Sequence, residues 1–315
     1  MPSLLLPYYH LVSDEEVPHV RHLYRYRNAA AFARDIDYFL TRHSPIGLGD
    51  LAAHVREGRP LPERAFLPTF DDGLREMNDV VAPILAAKGV RGVFFLNTST
   101  LDNRELGLHQ KISLILEEHE WLETTFPLRE ARALLAAEGV DGADFPTALK
   151  SIPWRSRTAV DRIAALCGLD FGAYLRKTRP YLTTEQVRRM LAQGMEIGAH
   201  SVDHPRYAEI GLAEQIRQTE SSLQELVERF SPSCRAFAFP HSDAGVSPAF
   251  FRHIFERSGI DITFGTRGMI EDSQRGHFQR FSMEKVSGPA GRILLHYRAR
   301  ACLRRLRGRG AVQHA

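Results

Sequence analysis

Two adjacent carboxylates end a largely apolar segment of the chain. Residues 66–70 are followed directly by Asp71, Asp72 and Gly73. A carboxylate that is buried without compensation costs several kcal/mol, so something else must share their site. Successive side chains of a strand point to opposite faces, but the glycine permits a sharp turn that brings both carboxylates to one place.

Two histidines follow a second apolar segment. His200 and His204 come directly after residues 195–199 and are four residues apart. Because Pro205 disfavours helical conformation at His204, we place the pair in a loop that follows a strand. By itself the pair is also typical of a solvated loop. Combined with the two carboxylates, which arrive from another strand end, it favours a metal site.

The four side chains together contain the donors of a catalytic metal centre. Two neutral imidazoles and one carboxylate bind zinc-type ions and leave positions open for water and substrate. One aspartate would bind the ion, and the other would remain as a general base. The cation would keep both carboxylates ionised near neutral pH. The sequence therefore predicts a divalent metal, with zinc expected and cobalt as the alternative.

Two further strand ends carry polar side chains. The segment 234–245 ends a predicted strand at Pro240 and continues into a short polar turn, which alone would be an ordinary exit from a strand. His10 ends the first predicted strand, and it either lines the site or is a buried core histidine. Since active sites of parallel α/β folds lie where strands end, both segments are candidates for the same site.

Strand-like and helical segments alternate along most of the chain. The predicted strands are short and apolar, and helical patterns separate them, as in residues 29–43, 77–89, 183–194 and 212–230. This order predicts a parallel α/β sheet or barrel. The alternation stops between about residues 100 and 181, where amphipathic helical patterns follow one another. We interpret that stretch as a helical insertion.

The composition is that of a soluble globular protein. The 315 residues are 43% hydrophobic and 25% charged. No run approaches the roughly 20 apolar residues of a membrane-spanning helix. The N-terminal segment lacks a basic region and has an early proline at Pro7, so we interpret it as a strand and not as a signal peptide. Three widely spaced cysteines fit free thiols in a reducing compartment. We therefore expect a cytoplasmic protein.

The C-terminal segment is strongly basic. The net charge of the chain is +3, yet residues 286–315 contain seven arginines and no acidic residue. In a helix, Leu295, Cys302 and Leu306 would lie on one side and several arginines on another. A basic amphipathic helix of this kind has two common interpretations. It is either a partly frayed helix on the protein surface or a helix that contacts an anionic membrane surface. A peripheral contact at the inner face of the membrane is therefore one expectation.

At three places the sequence resembles the polysaccharide deacetylase (NodB-homology) family, carbohydrate esterase family 4. The segment TFDDG (69–73) is similar to the first motif of that family, and HSVDH (200–204) is similar to the second. FAFPH (237–241) resembles the third, which usually ends Pro-Tyr-Gly. The resemblance covers about residues 3–286 and is interrupted by the helical insertion.

The resemblance implies a fold and a set of roles. Members adopt a distorted (β/α) barrel of about seven strands, and they hydrolyse acyl groups on sugars. Asp71 would be the catalytic base, and Asp72, His200 and His204 would bind the metal. The backbone N–H of His241 would help to bind the oxyanion. We accordingly expect a NodB-like domain over residues 1–290, with the insertion at about 100–181, and a basic tail over 291–315.

Two departures from the family pattern affect this assignment. The arginine that usually precedes the third motif's proline by two positions is replaced by Ala238, which leaves the partner of Asp71 unidentified. The family's last motif, Leu-x-His, supplies a general acid and is matched in letters at His296. However, His296 stands in a tract with helical spacing, and the preceding FQRFSMEK (278–285) resembles members that lack this histidine. The general acid is therefore unassigned.

The expected function is removal of an N-acyl group, acetyl or formyl, from an amino sugar in surface-polysaccharide or glycolipid biosynthesis. The expected partner is an amino-sugar, nucleotide-sugar or lipid-linked saccharide substrate and not a nucleic acid. One alternative is a deformylase or small-molecule amidase that uses the same site. Another is a catalytically inactive carbohydrate-binding protein on the same fold.

Overall fold

The computed structural model describes residues 4–308 and 310–314. The α-helices, in chain order, are α1 (Ala29–Leu40), α2 (Leu48–Glu57), α3 (Ala82–Ala87), α4 (Leu108–Leu122), α5 (Leu128–Ala137), α6 (Phe145–Lys150), α7 (Thr158–Leu166), α8 (Phe171–Thr178), α9 (Thr184–Ala192), α10 (Leu212–Phe230), α11 (Pro248–Glu256) and α12 (Ala290–Leu306). A π-helical turn at Met77–Val81 precedes α3.

The strands are short. They are β1 (Leu4–Leu5), β2 (Pro7–Tyr9), β3 (Ser44–Pro45), β4 (Ala65–Phe66), β5 (Thr69–Phe70), β6 (Val93–Leu96), β7 (Glu196–Ala199), β8 (Ala236–Ala238), β9 (Ile262–Gly265), β10 (Glu271–Asp272), β11 (His277–Gln279), β12 (Phe281–Ser282) and β13 (Ala311–Val312).

Eight strands form one parallel sheet. Their order is β11-β9-β8-β7-β6-β5-β2-β12, and every pairing within it is parallel. The two edge strands, β11 and β12, are separated along the chain by Arg280 alone. This is the arrangement of a nearly closed, distorted (β/α) barrel. The predicted fold class is confirmed, with eight strands where about seven were expected.

Two apolar clusters cover the two faces of this sheet. In β6, Phe94 and Leu96 belong to a cluster that includes residues of α1, α9, α10 and α11, whereas Val93 and Phe95 belong to another that includes residues of α2. The alternation follows from the two-residue period of a strand. Burial on both faces explains why the strands appear in the sequence as continuous apolar runs.

Side-chain caps define the first turns of two helices, α1 and α9, and α9 leads into the site strand β7. The side chain of Asn28 accepts a hydrogen bond from the N–H of Ala31 at the start of α1 (2.8 Å). At the start of α9, Thr183 and Gln186 form a reciprocal capping box. Such caps satisfy N–H groups that a first helical turn leaves without partners. The helix boundaries are therefore encoded locally.

The chain divides into two compact units. The first contains Tyr26–Asp102, the chain from Tyr181 onward and the N-terminal residues up to Asp14; the second contains Glu15–Arg25 and Asn103–Pro180. The second unit holds α4 to α8 and has its own apolar cluster. The domain boundaries expected from the sequence remain a prediction.

The basic C-terminal segment begins as the expected helix. Ile293 and Leu294 of α12 are buried in the larger cluster of the first unit, and β13 pairs with β10. Arg309, one of the seven arginines, lies outside the described residues. Among the residues that the structure describes, no helix has both the length and the apolar character needed to cross a bilayer.

Candidate active site

The two carboxylates follow β5, which lies between β2 and β6 in the sheet. Asp71 and Asp72 are only 2% and 7% exposed. The chain turns in the left-handed conformation at Asp72 and Gly73, with φ of 72° and 66°. A side chain at Gly73 would be strained at this φ, and its Cβ would lie 3.2 Å from the Leu96 side chain. The glycine of the motif is thus required by the turn.

Arg280 holds Asp71 in place. Its Nη1 and Nη2 donate to the two carboxylate oxygens of Asp71 over 2.7 and 2.8 Å. Nη1 also donates to the hydroxyl of Thr69, and Nε donates to the carbonyl of Gly265. The guanidinium is fully buried. Burial alone would raise the pKa of Asp71, but attraction by Arg280 outweighs it and holds that pKa below its usual value. Asp71 is therefore an oriented, ionised carboxylate.

Arg280 is the partner that the sequence did not identify. It takes the role left open by Ala238, but it arrives from the junction of β11 and β12 and not from β8. The local sequence carries no clear signal, because Arg280 stands among the polar Gln279 and Ser282 as well as beside Phe281. An arginine in such a position must be paired when it is buried.

The two histidines lie beside Asp72. His200 follows β7, and its Nδ1 donates to the carbonyl of Ala238 (2.8 Å), so Nε2 is left as the metal-binding nitrogen. That Nε2 lies 3.6 Å from Oδ1 of Asp72, and Nε2 of His204 lies 3.3 Å from the same oxygen. Burial lowers the pKa of His200, which favours the neutral imidazole. His204 lies in a loop, as Pro205 predicts.

The residues present fit a divalent metal. Asp72, His200 and His204 each offer one ligand atom, and these atoms all lie within 4.8 Å of one another. Ligands bound at about 2.0–2.2 Å in a tetrahedron are about 3.4 Å apart, close to the separations just given. Burial raises the pKa of Asp72, against attraction by His10 and His200. A cation at this position would favour the ionised carboxylate.

His241 lies next to this group. It follows β8 and Pro240, and its ring centroid is 4.5 Å from that of His204. Its carbonyl accepts a hydrogen bond from Thr266 (2.7 Å). The third sequence motif is therefore adjacent to the second in space.

Backbone strain is concentrated here. Asp72, Ser201, His204 and His241 are four of the eight non-glycine residues with positive φ among those described. Such conformations cost about 1–3 kcal/mol each and are typical of functional sites. The surrounding packing must hold these residues in place.

His10, for which the sequence left open a place in the site or in the core, forms a second polar pair with Glu284, which the sequence did not identify. Nδ1 of His10 donates to Oε2 of Glu284 over 2.5 Å, and Oε1 accepts the backbone N–H of His10 (2.8 Å). Burial lowers the pKa of His10, but Glu284 outweighs this effect, and the pKa is raised to about 9. Asp72 and Asp71 add smaller attractions. His10 follows β2, the neighbour of β5, so it reaches the same edge of the sheet.

His296, the alternative acid of the last motif, lies elsewhere. It is on the exposed side of α12, where its ring contacts Tyr297. The tract around it is helical, as its spacing predicts.

Several solved structures share this fold. The Streptococcus pyogenes deacetylase PplD, in complex with acetate, aligns with a TM-score of 0.58 and 13% identity over 93% of this chain and 97% of its own. IcaB from Ammonifex degensii aligns with a TM-score of 0.57 and 15% identity over 93% and 96%. A de-N-acetylase from Aggregatibacter actinomycetemcomitans aligns with a TM-score of 0.59 and 15% identity over 93% and 99%. At these identities the likeness establishes the fold.

Sequence comparison gives the family. No curated protein matches the chain. The sequence profile described as polysaccharide deacetylase matches residues 58–250, which is more than half of the chain and contains the three motifs. The chain therefore belongs to the polysaccharide deacetylase family, the NodB-homology group of carbohydrate esterase family 4.

Proposed function

We propose that this protein is a metal-dependent hydrolase that removes an N-acetyl or N-formyl group from an amino sugar used in surface-polysaccharide or glycolipid biosynthesis. The observation that carries the proposal is the position of Asp71. It is held by Arg280 at 2.7 Å and is adjacent in the chain to Asp72, which groups with His200 and His204. A fixed base beside a metal-binding group is what the activation of water against an amide requires.

The ion, expected to be zinc with cobalt as a substitute, would be held by Asp72, His200 and His204. When bound it would polarise the amide carbonyl and lower the pKa of water. Asp71 accepts a proton from the water as its oxygen attacks the carbonyl carbon. Because Arg280 binds both oxygens of Asp71, the carboxylate cannot rotate away from this position.

The tetrahedral intermediate needs a donor for its oxyanion and a proton for its amine. The backbone N–H of His241 is the donor that we assign, and one such donor contributes about 2.7–4 kcal/mol in other hydrolases. We assign the proton to His10, whose Nδ1 is bound to Glu284, so that the proton would leave from Nε2. The C–N bond then breaks, and a free amine and a carboxylic acid are the products.

The substrate that we propose carries a phosphate. A cavity of about 300 Å³ lies beside His241 and is lined by four cationic side chains, Arg267, Lys285, Arg300 and Arg304. None of its lining residues is acidic. Basic side chains around a cavity attract phosphate esters. This charge supports a nucleotide-linked or lipid-linked amino sugar over a neutral polymer.

We further propose that the enzyme works in the cytoplasm, at the inner face of the membrane. Three leucines of α12 are strongly exposed, Leu295 (68%), Leu303 (52%) and Leu306 (79%). They share the helix with basic residues that include Arg292 and Arg298, which are not among the residues that line the cationic cavity. Exposed apolar side chains among basic ones are complementary to an anionic bilayer surface.

Acyl release from a panel of substrates tests the central proposal. Purified protein is loaded with zinc and incubated with N-acetyl and N-formyl amino sugars in free, nucleotide-linked and lipid-linked form. We expect release of acetate or formate that a chelator abolishes and that zinc or cobalt restores. Binding of these sugars by the metal-loaded protein without any acyl release would instead support the inactive carbohydrate-binding alternative.

A further inference from the structure

A second group of metal-binding side chains lies outside the candidate active site. It consists of Asp243, Asp272, His277 and His314, and their ligand atoms all lie within 4.8 Å of one another. The four residues come from four different segments: the turn after β8, strand β10, strand β11, and the residues after β13. The pairing of β13 with β10, in which Val312 lies opposite Asp272, brings His314 into the group.

The spacing of these atoms is that of ligands around one ion. Nε2 of His314 lies 3.1 and 3.2 Å from the two oxygens of Asp272. Nε2 of His277 lies 3.4 Å from Oδ2 of Asp243 and 3.8 Å from Oδ2 of Asp272. In the active-site group the corresponding separations are 3.3 and 3.6 Å. Four tetrahedral ligands at about 2.0–2.2 Å from zinc are about 3.4 Å apart.

The group is buried, so a positive charge at this position would offset the cost of burying its two carboxylates. The four side chains are at most 1% exposed. Arg267, with its Nε 3.2 Å from Asp243, supplies one positive charge against two negative ones. A cation bound by the group would offset the remaining negative charge.

The neighbouring contacts resemble those that orient metal ligands. Nδ1 of His277 is bonded to the hydroxyl of Thr263 (2.8 Å), which leaves Nε2 directed at the group. The amide of Gln279 donates to Asp243 and Asp272 (2.8 and 2.9 Å), while its oxygen accepts the N–H of Arg267. It therefore holds both carboxylates in position.

One buried carboxylate oxygen of the group is not satisfied by the protein. Within the described residues, Oδ1 of Asp243 has no hydrogen-bond partner. Asp272, His277 and Gln279 also line an adjacent cavity of about 690 Å³, through which an ion can enter. An unsatisfied buried atom and an entry path are expected where a ligand normally completes a site.

We propose that Asp243, Asp272, His277 and His314 bind a second divalent cation of the zinc type. With four protein ligands the site is closed, so the ion is structural and takes no part in hydrolysis. It fastens the C-terminal segment to β10 and β11, and β11 leads directly into Arg280. The site is independent of the proposed activity.

Metal content of the untagged protein tests the inference. After zinc loading and passage over a chelating resin, we expect elemental analysis to find two zinc ions per chain. The variant Asp72→Ala/His200→Ala, which leaves the second group intact, is expected to keep one. His277→Gln and His314→Gln should each remove one ion, whereas His296→Gln, which changes an exposed histidine, should keep two.

The variant Asp72→Ala/His200→Ala tests the inference even if His277→Gln and His314→Gln do not fold. Loaded with cobalt, it should show the visible absorption of a tetrahedral cobalt centre, and a chelator should lower its melting temperature. Absence of metal from this variant would overturn the inference and leave a hydrogen-bonded network of histidines and aspartates. Unchanged zinc content in folded His277→Gln would overturn it as well.

Discussion

Arg280 and Asp71 are 209 residues apart in the chain, yet they are joined by two parallel hydrogen bonds of 2.7 and 2.8 Å in a fully buried position. This geometry fixes the plane of the carboxylate, its ionisation and its place at the end of β5. It also supplies the arginine that the third motif lacks, and that lack was one of two reasons, with the unassigned general acid, for considering an inactive binding protein.

Replacement of Arg280 by lysine is expected to lower turnover while leaving the metal in place. Lysine keeps the charge but cannot form the two parallel bonds, so Asp71 loses its fixed orientation. Misplacement of a catalytic group by about 1 Å can cost about 100-fold, so we expect kcat to fall about 10- to 100-fold. Steady-state kinetics and zinc analysis measure this, with the exposed Arg189→Lys as control. Unchanged kcat in Arg280→Lys would contradict the role.

Substitutions of the two adjacent aspartates, Asp71 and Asp72, should have different effects on metal content and turnover. Asp71→Asn is expected to keep zinc and to lose turnover about 10²- to 10⁴-fold, because the amide cannot accept the proton. Asp72→Ala is expected to lose zinc as well, since it removes a ligand. Elemental analysis beside kinetics distinguishes the two. Near-full activity of Asp71→Asn would show that another group is the base.

The charge of His10 is expected to depend on Glu284. With a pKa raised to about 9, His10 is protonated at neutral pH. This contributes stability that is present below the ordinary pKa of 6.5 and is lost as the pH rises through about 9. In Glu284→Gln the main attraction is lost and burial is opposed only by the smaller attractions of Asp72 and Asp71, so the pKa of His10 should fall from about 9 toward its ordinary value of 6.5.

The change in the pKa of His10 is measured by the NMR chemical shifts of its imidazole nitrogens. The free energy of unfolding across the same pH range measures the accompanying change in stability. A protonated His10 at neutral pH in Glu284→Gln would contradict this account. In activity assays His10→Asn should be strongly impaired, and His296→Ala should retain most activity because His296 is exposed on α12.

The cationic cavity predicts a preference among substrates. Lys285→Glu or Arg300→Glu should raise KM for a phosphate-linked N-acyl amino sugar by at least about tenfold, equivalent to about 1.4 kcal/mol. KM for the neutral sugar should change little, because it carries no charge for the cavity to bind. Arg59→Glu, an exposed arginine outside the cavity, is the control. Equal effects on both substrates would exclude this role for the cavity.

Membrane contact through α12 is tested without truncation, because removal of residues 291–315 would delete the buried Ile293 and Leu294. The full chain is expected to sediment with anionic vesicles and not with neutral ones. Leu295→Glu/Leu306→Glu should abolish this binding, whereas Leu212→Glu on α10 should not. Equal sedimentation of wild type and double variant, or equal binding to both vesicle types, would refute the proposal.

The sequence by itself determined the features that depend on neighbouring residues. Apolar runs and helical periodicity predicted the alternation of strands and helices, because these patterns reflect which faces of each element are buried. Pro205 placed His204 in a loop, and Gly73 marked the turn after the carboxylates. Since parallel strands end at one edge of a sheet, the motifs could be assigned to a common site before any contact was known.

Only the tertiary structure decided which distant side chains complete those motifs. Arg280 and Glu284 lie beside strands of two or three residues, too short for a periodic signal, and their partners Asp71 and His10 are more than 200 residues away. The meeting of His314 with Asp272 depends likewise on the pairing of β13 with β10. These contacts depend on strand order and the near closure of the barrel, which follow from packing of the whole chain and leave no local trace in its sequence.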